Sequence, residues 1–227
     1  MQRKDFCKTF SSHCDKYNQL DKLAHLVKEK SKVVNITSIR DYESIWQKHI
    51  VDSLMLSKVG DVEKILKSGS DMNVKPLHVL DIGTGGGFPG LPLAICYPNL
   101  KFTLLDSTRK KIEVVKEFSF ELGLKNVKAV WGRAEELAKN PKYKGKFDIV
   151  TARAVAYLPT LLNSCVSFIN ESGSILLYKK LDENELKESH KVSKSLGLFL
   201  SDKREYIIDG DENKRVIYVF CEKQKSS

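Results

Sequence analysis

The chain has 227 residues, of which 41% are hydrophobic and 30% charged, enough for one buried core with an appendage under a well-solvated surface. That balance excludes the disordered, collagen-like and membrane-spanning classes. Lysine and arginine exceed aspartate and glutamate by 9, the excess lying in residues 1–76 and 101–146, and this favours an anionic partner.

Residues 1–70 read as an N-terminal helical extension. The opening MQRKDFCKTF has no apolar run, so no signal peptide is expected. Phe6, Phe10, Tyr17, Leu20, Leu23, Leu26 and Val27 recur mostly at three- and four-residue steps and predict one apolar stripe. KVVNITSIR reads as irregular. Asp41 is placed to cap a further helix, in which Ile45, Trp46, Ile50, Leu54 and Leu56 bracket His49 and Asp52. At a three-residue spacing those two would share a helix face. The boundary is expected within Lys67 to Pro76, giving domains 1–70 and 71–227.

From Leu77 onward, short apolar runs alternate with longer amphipathic ones, the pattern of strand–helix–strand units and a parallel sheet. HVLDI, KFTLLD, VKAVW, FDIVTA and SGSILLYKK read as strands separated by helices. The last two runs, LFLSDKREYIID and KRVIYVFCEK, bracket the turn-forming cluster 209–213 with no room for a crossover helix. The expected fold is therefore α/β and Rossmann-like, a mostly parallel seven-stranded sheet with an antiparallel C-terminal strand pair.

The uncharged run from Ile82 to Leu100 is no membrane span, because five glycines and three prolines interrupt it. It contains VLDIGTGGGFPG, in which a buried strand ends and Gly83, Gly85, Gly86 and Gly87 let the backbone turn and approach a ligand, with Pro89 in the first turn of the next helix. Gly85, Gly87 and Gly90 satisfy GxGxxG, a pattern shared with dinucleotide-binding folds. Sign favours S-adenosylmethionine over NAD: Asp81, two residues before Gly83, would repel a pyrophosphate and attract a ligand bearing sulfonium and ammonium cations. The antiparallel C-terminal pair also suits a class I methyltransferase sheet. Asp106, ending the second strand, is placed for the ribose hydroxyls of either ligand. Ala134 and Glu135, after the third strand, are expected beside the adenine. Arg153, at the end of the fourth strand among Ala152, Ala154, Val155 and Ala156, needs a partner if buried. Either it bridges to a loop carboxylate, or, the favoured reading, it meets the methionine carboxylate or the target nucleotide.

The five histidines (13, 25, 49, 78, 190) form no catalytic or metal pattern, so no metal is expected. The five cysteines are scattered without CxxC, which argues against a disulfide framework and for a reducing cytoplasm.

NITSIRD at 35–41, KHIVDSL at 48–54, VLDIGTGGGFPGLPLA at 79–94, LLDS at 104–107, GRAEE at 132–136 and FDIVTARAVAYL at 147–158 together closely resemble the glucose-inhibited division protein B family. These are ribosomal RNA small-subunit methyltransferases G, which form 7-methylguanosine. The resemblance implies that Gly83, Phe88, Asp106, Ser107, Thr108, Ala134, Glu135 and Arg153 line the S-adenosyl-L-methionine site and that Lys179 faces the substrate. It also implies a partner, small-subunit ribosomal RNA or an assembly intermediate. Guanine N7 carries a free lone pair, so no general base is expected, and Arg153 and Lys179 are candidates for positioning the substrate. His49, Arg109 and Lys179 are candidate RNA contacts. For His49 a contact fixing the helices to the sheet is the stronger alternative.

Overall fold

The computed structural model describes residues 1–68, 75–153 and 156–222. The expected boundary between residues 70 and 71, and two residues of the TARAVA run, Ala154 and Val155, lie outside the described residues.

Helices α1 (Arg3–Thr9) and α2 (Tyr17–Lys30) carry the N-terminal stripe, with Leu20, Leu23, Ala24 and Val27 of α2 buried at helical spacing. The stripe holds but the helix does not run through. A 3₁₀ segment, Ser11–Lys16, intervenes, with His13 at φ −124° and ψ 15°. The break turns both Phe10 and His13 inward, and His13 Nε2 meets the Tyr97 hydroxyl at 3.2 Å. Cys7 and Cys14 are bonded across it. One disulfide is thus present where a reducing setting without a disulfide framework was expected, and Cys96, Cys165 and Cys221 are free.

Residues 32–40 are irregular, as expected. Asp41 then caps α3 (Tyr42–Ile45), its carboxylate accepting from Ser44 N at 2.8 Å. The helical path continues as a π-helical turn, Trp46–Val51, then α4 (Asp52–Leu54), a 3₁₀ turn Met55–Lys58 and α5 (Gly60–Ser68).

Seven strands follow with the helices between them: β1 (His78–Ile82), α6 (Gly90–Cys96), β2 (Lys101–Asp106), α7 (Arg109–Glu121), β3 (Val127–Trp131), α8 (Ala134–Leu137), β4 (Phe147–Arg153), α9 (Leu158–Val166), β5 (Ile169–Lys180), α10 (Glu183–Ser195), β6 (Leu198–Tyr206) and β7 (Arg215–Glu222). They form one sheet in the order β3-β2-β1-β4-β5-β7-β6. Only β7 runs against its neighbours, pairing antiparallel with both β5 and β6. Successive residues feed opposite faces. Ile149, Leu176 and Ile217 join the core under α2, the π-helical turn and α6, while Val150, Leu177 and Tyr218 join the one under α9. The N-terminal helices thus share one core with the first face of the sheet, which brings residues 48–52 to its carboxyl edge.

Candidate active site at the carboxyl edge

The strand order reverses between β1 and β4, and open α/β sheets bind ligands in the crevice at such a switch point. The glycine loop leaves β1 there. Gly83, Gly85 and Gly87 have φ of 69°, 60° and 98°, values that other L residues reach only at a cost. Thr84 N donates to Leu105 O at 2.9 Å, and Gly87 and Phe88 N donate back to Thr84 O, closing the turn. A Cβ on Gly85 would meet only Gly83 O, at 4.0 Å, so this side of the loop opens onto free space. Gly90 serves packing instead: its Cβ would lie 2.1 Å from a Leu104 methyl.

Two carboxylates hold this loop from below. Asp106 accepts from Gly85 N at 2.9 Å and from Thr108 N at 2.8 Å, one bond to each oxygen, which leaves further lone pairs for ligand hydroxyls. Asp81 accepts from Gly90 N at 3.0 Å and is wholly buried. It therefore shapes the loop from beneath rather than facing an open site, a correction to the expected direct approach to a cation. Its other oxygen and the Thr84 hydroxyl lie close together without a well-formed hydrogen bond. Burial pushes the Asp81 pKa up to about 7, against the pull of Thr84 and the Gly90 amide. Ser107 and Thr108 are exposed at the end of β2, and Ala134 and Glu135 open α8 after β3, Glu135 exposed. These residues follow the carboxyl ends of adjoining strands, so the turns carrying the expected cofactor contacts lie side by side.

Phe88 is only 5% exposed, its ring stacked on His49 at 4.6 Å with the Arg153 guanidinium 5.4 Å from its centroid. Arg153 bonds Asp52 at 2.8 Å, Lys48 O at 3.0 Å and His49 Nδ1 at 3.1 Å. The partner its burial demanded is thus a carboxylate of α4, not a loop carboxylate. His49 does not pair with Asp52. Its Nε2 lies 2.8 Å from the Thr37 hydroxyl, and because a guanidinium only donates, Nδ1 accepts and the proton sits on Nε2. Burial and then the guanidiniums of Arg153 and Arg215 push its pKa down to about 3. His49 therefore acts mainly as a link between the irregular segment, the helices and the sheet.

Asp52, which the sequence marked only for its spacing from His49, is the hub of this network. Fully buried, it also accepts from Arg215 at 2.9 Å and from the Tyr206 hydroxyl at 2.8 Å, and Arg215 reaches on to Asp211 at 2.6 Å. Beside this network lies a cavity of about 460 Å³ over the ends of β4 and β5, lined by Arg153, Tyr178, Lys179, Glu185, Tyr206 and Arg215 among others. Lys179 lies in its wall, bonded to Glu185 at 2.6 Å and to Ala156 O at 2.7 Å. Arg109 is further out at the start of α7, 5.7 Å above the exposed Trp131 ring. Among the described residues no group of three or more acidic, histidine or cysteine side chains could hold a metal ion, and no helix is long and apolar enough to cross a membrane.

The family model described as rRNA small subunit methyltransferase G matches residues 16–207. The chain is 35% identical to the Ribosomal RNA small subunit methyltransferase G of Lysinibacillus sphaericus, over 89% of this chain and 81% of that protein. To the protein of the same name from Clostridium novyi it is 37% identical, over 90% and 80%. Among solved structures, M. jannaschii TYW2 in complex with AdoMet shares the fold at a TM-score of 0.54 and 16% identity, covering 71% of this chain and 76% of that one. With the match running from α2 through β6 and both relatives aligned over most of their length, the chain belongs to the rRNA small subunit methyltransferase G family.

Proposed function

We propose that the chain transfers a methyl group from S-adenosylmethionine to N7 of one guanine in small-subunit (16S) ribosomal RNA, presented as RNA or within an assembly intermediate in the cytoplasm. The observation that carries this reading is a glycine loop held by two carboxylates, with no basic side chain of its own, beside a cavity walled by Arg153, Lys179 and Arg215. A loop with no basic side chain, backed by the Asp106 carboxylate while Asp81 only shapes it from beneath, offers the pyrophosphate of a nicotinamide cofactor no counter-charge. The open side of Gly85, where a Cβ would intrude, fits the cofactor, with Gly83, Gly85 and Gly87 beneath it, Asp106, Ser107 and Thr108 at its ribose, and Ala134 and Glu135 at its adenine. Phe88, packed against the bonded pair His49 and Arg153, fixes the end of that loop.

The bound cofactor supplies an electrophilic methyl on sulfur. The protein supplies alignment. Guanine N7 has an in-plane lone pair and no proton to lose, so holding it in line with the methyl carbon can contribute up to about 7–11 kcal/mol without a general base. The cavity offers Lys179 and Arg153 to position the guanine or its phosphate. Because N7 opens into the deep, narrow major groove of A-form RNA, the base must come from a loop or irregular element and be splayed into the cavity.

The deciding experiment incubates the protein with labelled S-adenosylmethionine and unmodified small-subunit RNA, or the immature subunit, and maps the product. A single 7-methylguanine is expected. Cofactor binding with label on a different base or on no RNA would overturn the assignment. In the same assay Lys179→Ala should lower transfer at saturating RNA or weaken RNA binding, and no change in either removes its positioning role.

A further inference from the structure

Two clusters of basic residues lie at opposite edges of the sheet, and only one of them is compensated. At the carboxyl edge Arg153 and Arg215 are bound to Asp52 and Asp211, and Lys179 to Glu185. At the amino edge, where β3, β2, β1 and β4 begin side by side, Lys101, Lys125, Lys128, Lys142 and Lys146 line one hollow of about 340 Å³. All five are exposed, and among the described residues none has an ion-pair partner. The nearby Asp148 is occupied by His78 N at 2.7 Å and by the Asn170 amide at 2.8 Å. Two further hollows share walls with this one, extending it through Lys16 on one side and Lys75 on the other. Tyr143 lies in the floor with the Lys128 ammonium 5.6 Å from its ring.

We propose that this amino-edge groove is a second RNA-binding site, which grips the phosphate backbone of the substrate at a distance from the methylated base. The proposal rests on the ribosomal RNA reading above and adds a location to it. Strands of five to six residues put the groove roughly 17 Å from the glycine loop and at the opposite edge of the sheet, so RNA held only at the mouth of the cavity does not touch it and an RNA that continues along the sheet does. The route between them is the free edge of the sheet. β3 has no outer neighbour, bears Lys128 at its amino end, and ends at Trp131, 58% exposed beneath Arg109. Clustered, unpaired ammonium groups are the chemistry that displaces counterions from a polyanion. A groove lined by lysines without a bidentate arginine fork fits sequence-independent backbone contact rather than base reading.

The test compares the wild-type chain with the triple variant Lys125→Glu, Lys128→Glu, Lys142→Glu on two RNAs, full-length unmodified small-subunit RNA and a short stem-loop bearing the target base. Three lost phosphate contacts should weaken binding of the long RNA about 10- to 100-fold at moderate salt and flatten its log-affinity against log-salt slope by roughly 2–3. The stem-loop affinity, cofactor affinity and transfer rate at saturating RNA should stay as in the wild type. Should the reversal disturb folding, the corresponding Gln triple, with the same sites neutralised, should still reduce the slope. An unchanged long-RNA affinity and slope would overturn the groove while wild-type methylation leaves the substrate reading intact. A wild type that neither binds nor methylates the RNA would overturn both. Weakened binding to the assembled subunit alone, with naked RNA unaffected, would assign the groove to a ribosomal protein and also reject the proposal.

Discussion

The glycine loop and the Asp52 junction lie a few ångströms apart at the same sheet edge, yet they are held by opposite means. The loop is local: Asp81, its glycines and Asp106 fall within 26 positions, and each hydrogen bond closes a short backbone path. The junction is remote: Asp52 is reached by Arg153, Tyr206 and Arg215 across 101, 154 and 163 residues. Asp52 bridges two guanidiniums, with Asp211 supplying the second negative charge, and so fixes the N-terminal helices to β4, β6 and β7. A site whose shape is set by backbone conformation thus depends for its outer wall on a buried charge cluster, and the two should fail differently.

The junction should fail by unfolding. Asp52→Ala leaves Arg153 and Arg215 without their shared carboxylate in a largely buried setting, and such removals cost about 3–5 kcal/mol. A fall of that size in urea-unfolding free energy is expected, with methyl transfer lost alongside. A loss under about 1 kcal/mol would mean that water or Asp211 compensates the arginines. The loop should fail in two separable ways. Gly90→Ala drives a Cβ into Leu104 at 2.1 Å and towards the Asp81 carboxylate at 2.9 Å, an overpacking expected to cost about 1–3 kcal/mol of stability. Gly85→Ala meets no such wall and should cost only about 1–2 kcal/mol through its positive φ, while weakening S-adenosylmethionine binding more than Gly90→Ala does. Calorimetry of both variants checks the reversal of order. Equal losses in both quantities would remove the distinction between cradle and packing glycines.

This contrast also accounts for what the sequence disclosed. The loop was legible because glycine spacing, a preceding apolar strand and a carboxylate at each strand end are chemical demands written into consecutive residues. The mostly parallel strands and the antiparallel last pair followed from runs of apolar residues and from the turn cluster at 209–213, whereas the lateral order of the strands is carried by no local run. Arg153 among alanines declared that it needed a partner but not which one, since a carboxylate 101 residues away carries no local mark. Tyr206 and Arg215 read as ordinary strand residues. The depth of Asp81 was hidden for a similar reason, because a strand end can be exposed or roofed over and only the path of α6 decides it. The helix break at His13 and the Cys7–Cys14 bond depend on how Phe10 and His13 find Tyr97 and its surroundings, which is tertiary information.

The smallest expected effect on the wild type is a cancellation, and it sets the two regions against each other directly. Asp81, with a pKa raised to about 7 by burial, binds a proton more tightly folded than unfolded, so its contribution to stability falls as pH rises from about 4 to 7. His49, with a pKa lowered to about 3, stays neutral in the fold where the unfolded chain would take up a proton, so its contribution rises with pH from about 3 to 6.5. Between pH 4 and 6.5 the two slopes oppose, each limited to about 1.4 kcal/mol per pH unit. Asp81→Asn keeps an acceptor for Gly90 N and removes only the first slope, so its stability relative to the wild type should increase with pH across this window. His49→Asn keeps an acceptor for Arg153 and should do the reverse. Urea unfolding of the three proteins at half-unit pH steps reads the differences without reference to other titrating groups. Parallel profiles would mean that neither buried group holds its protonation state against solvent, and that the loop and the junction are wetter than their packing implies.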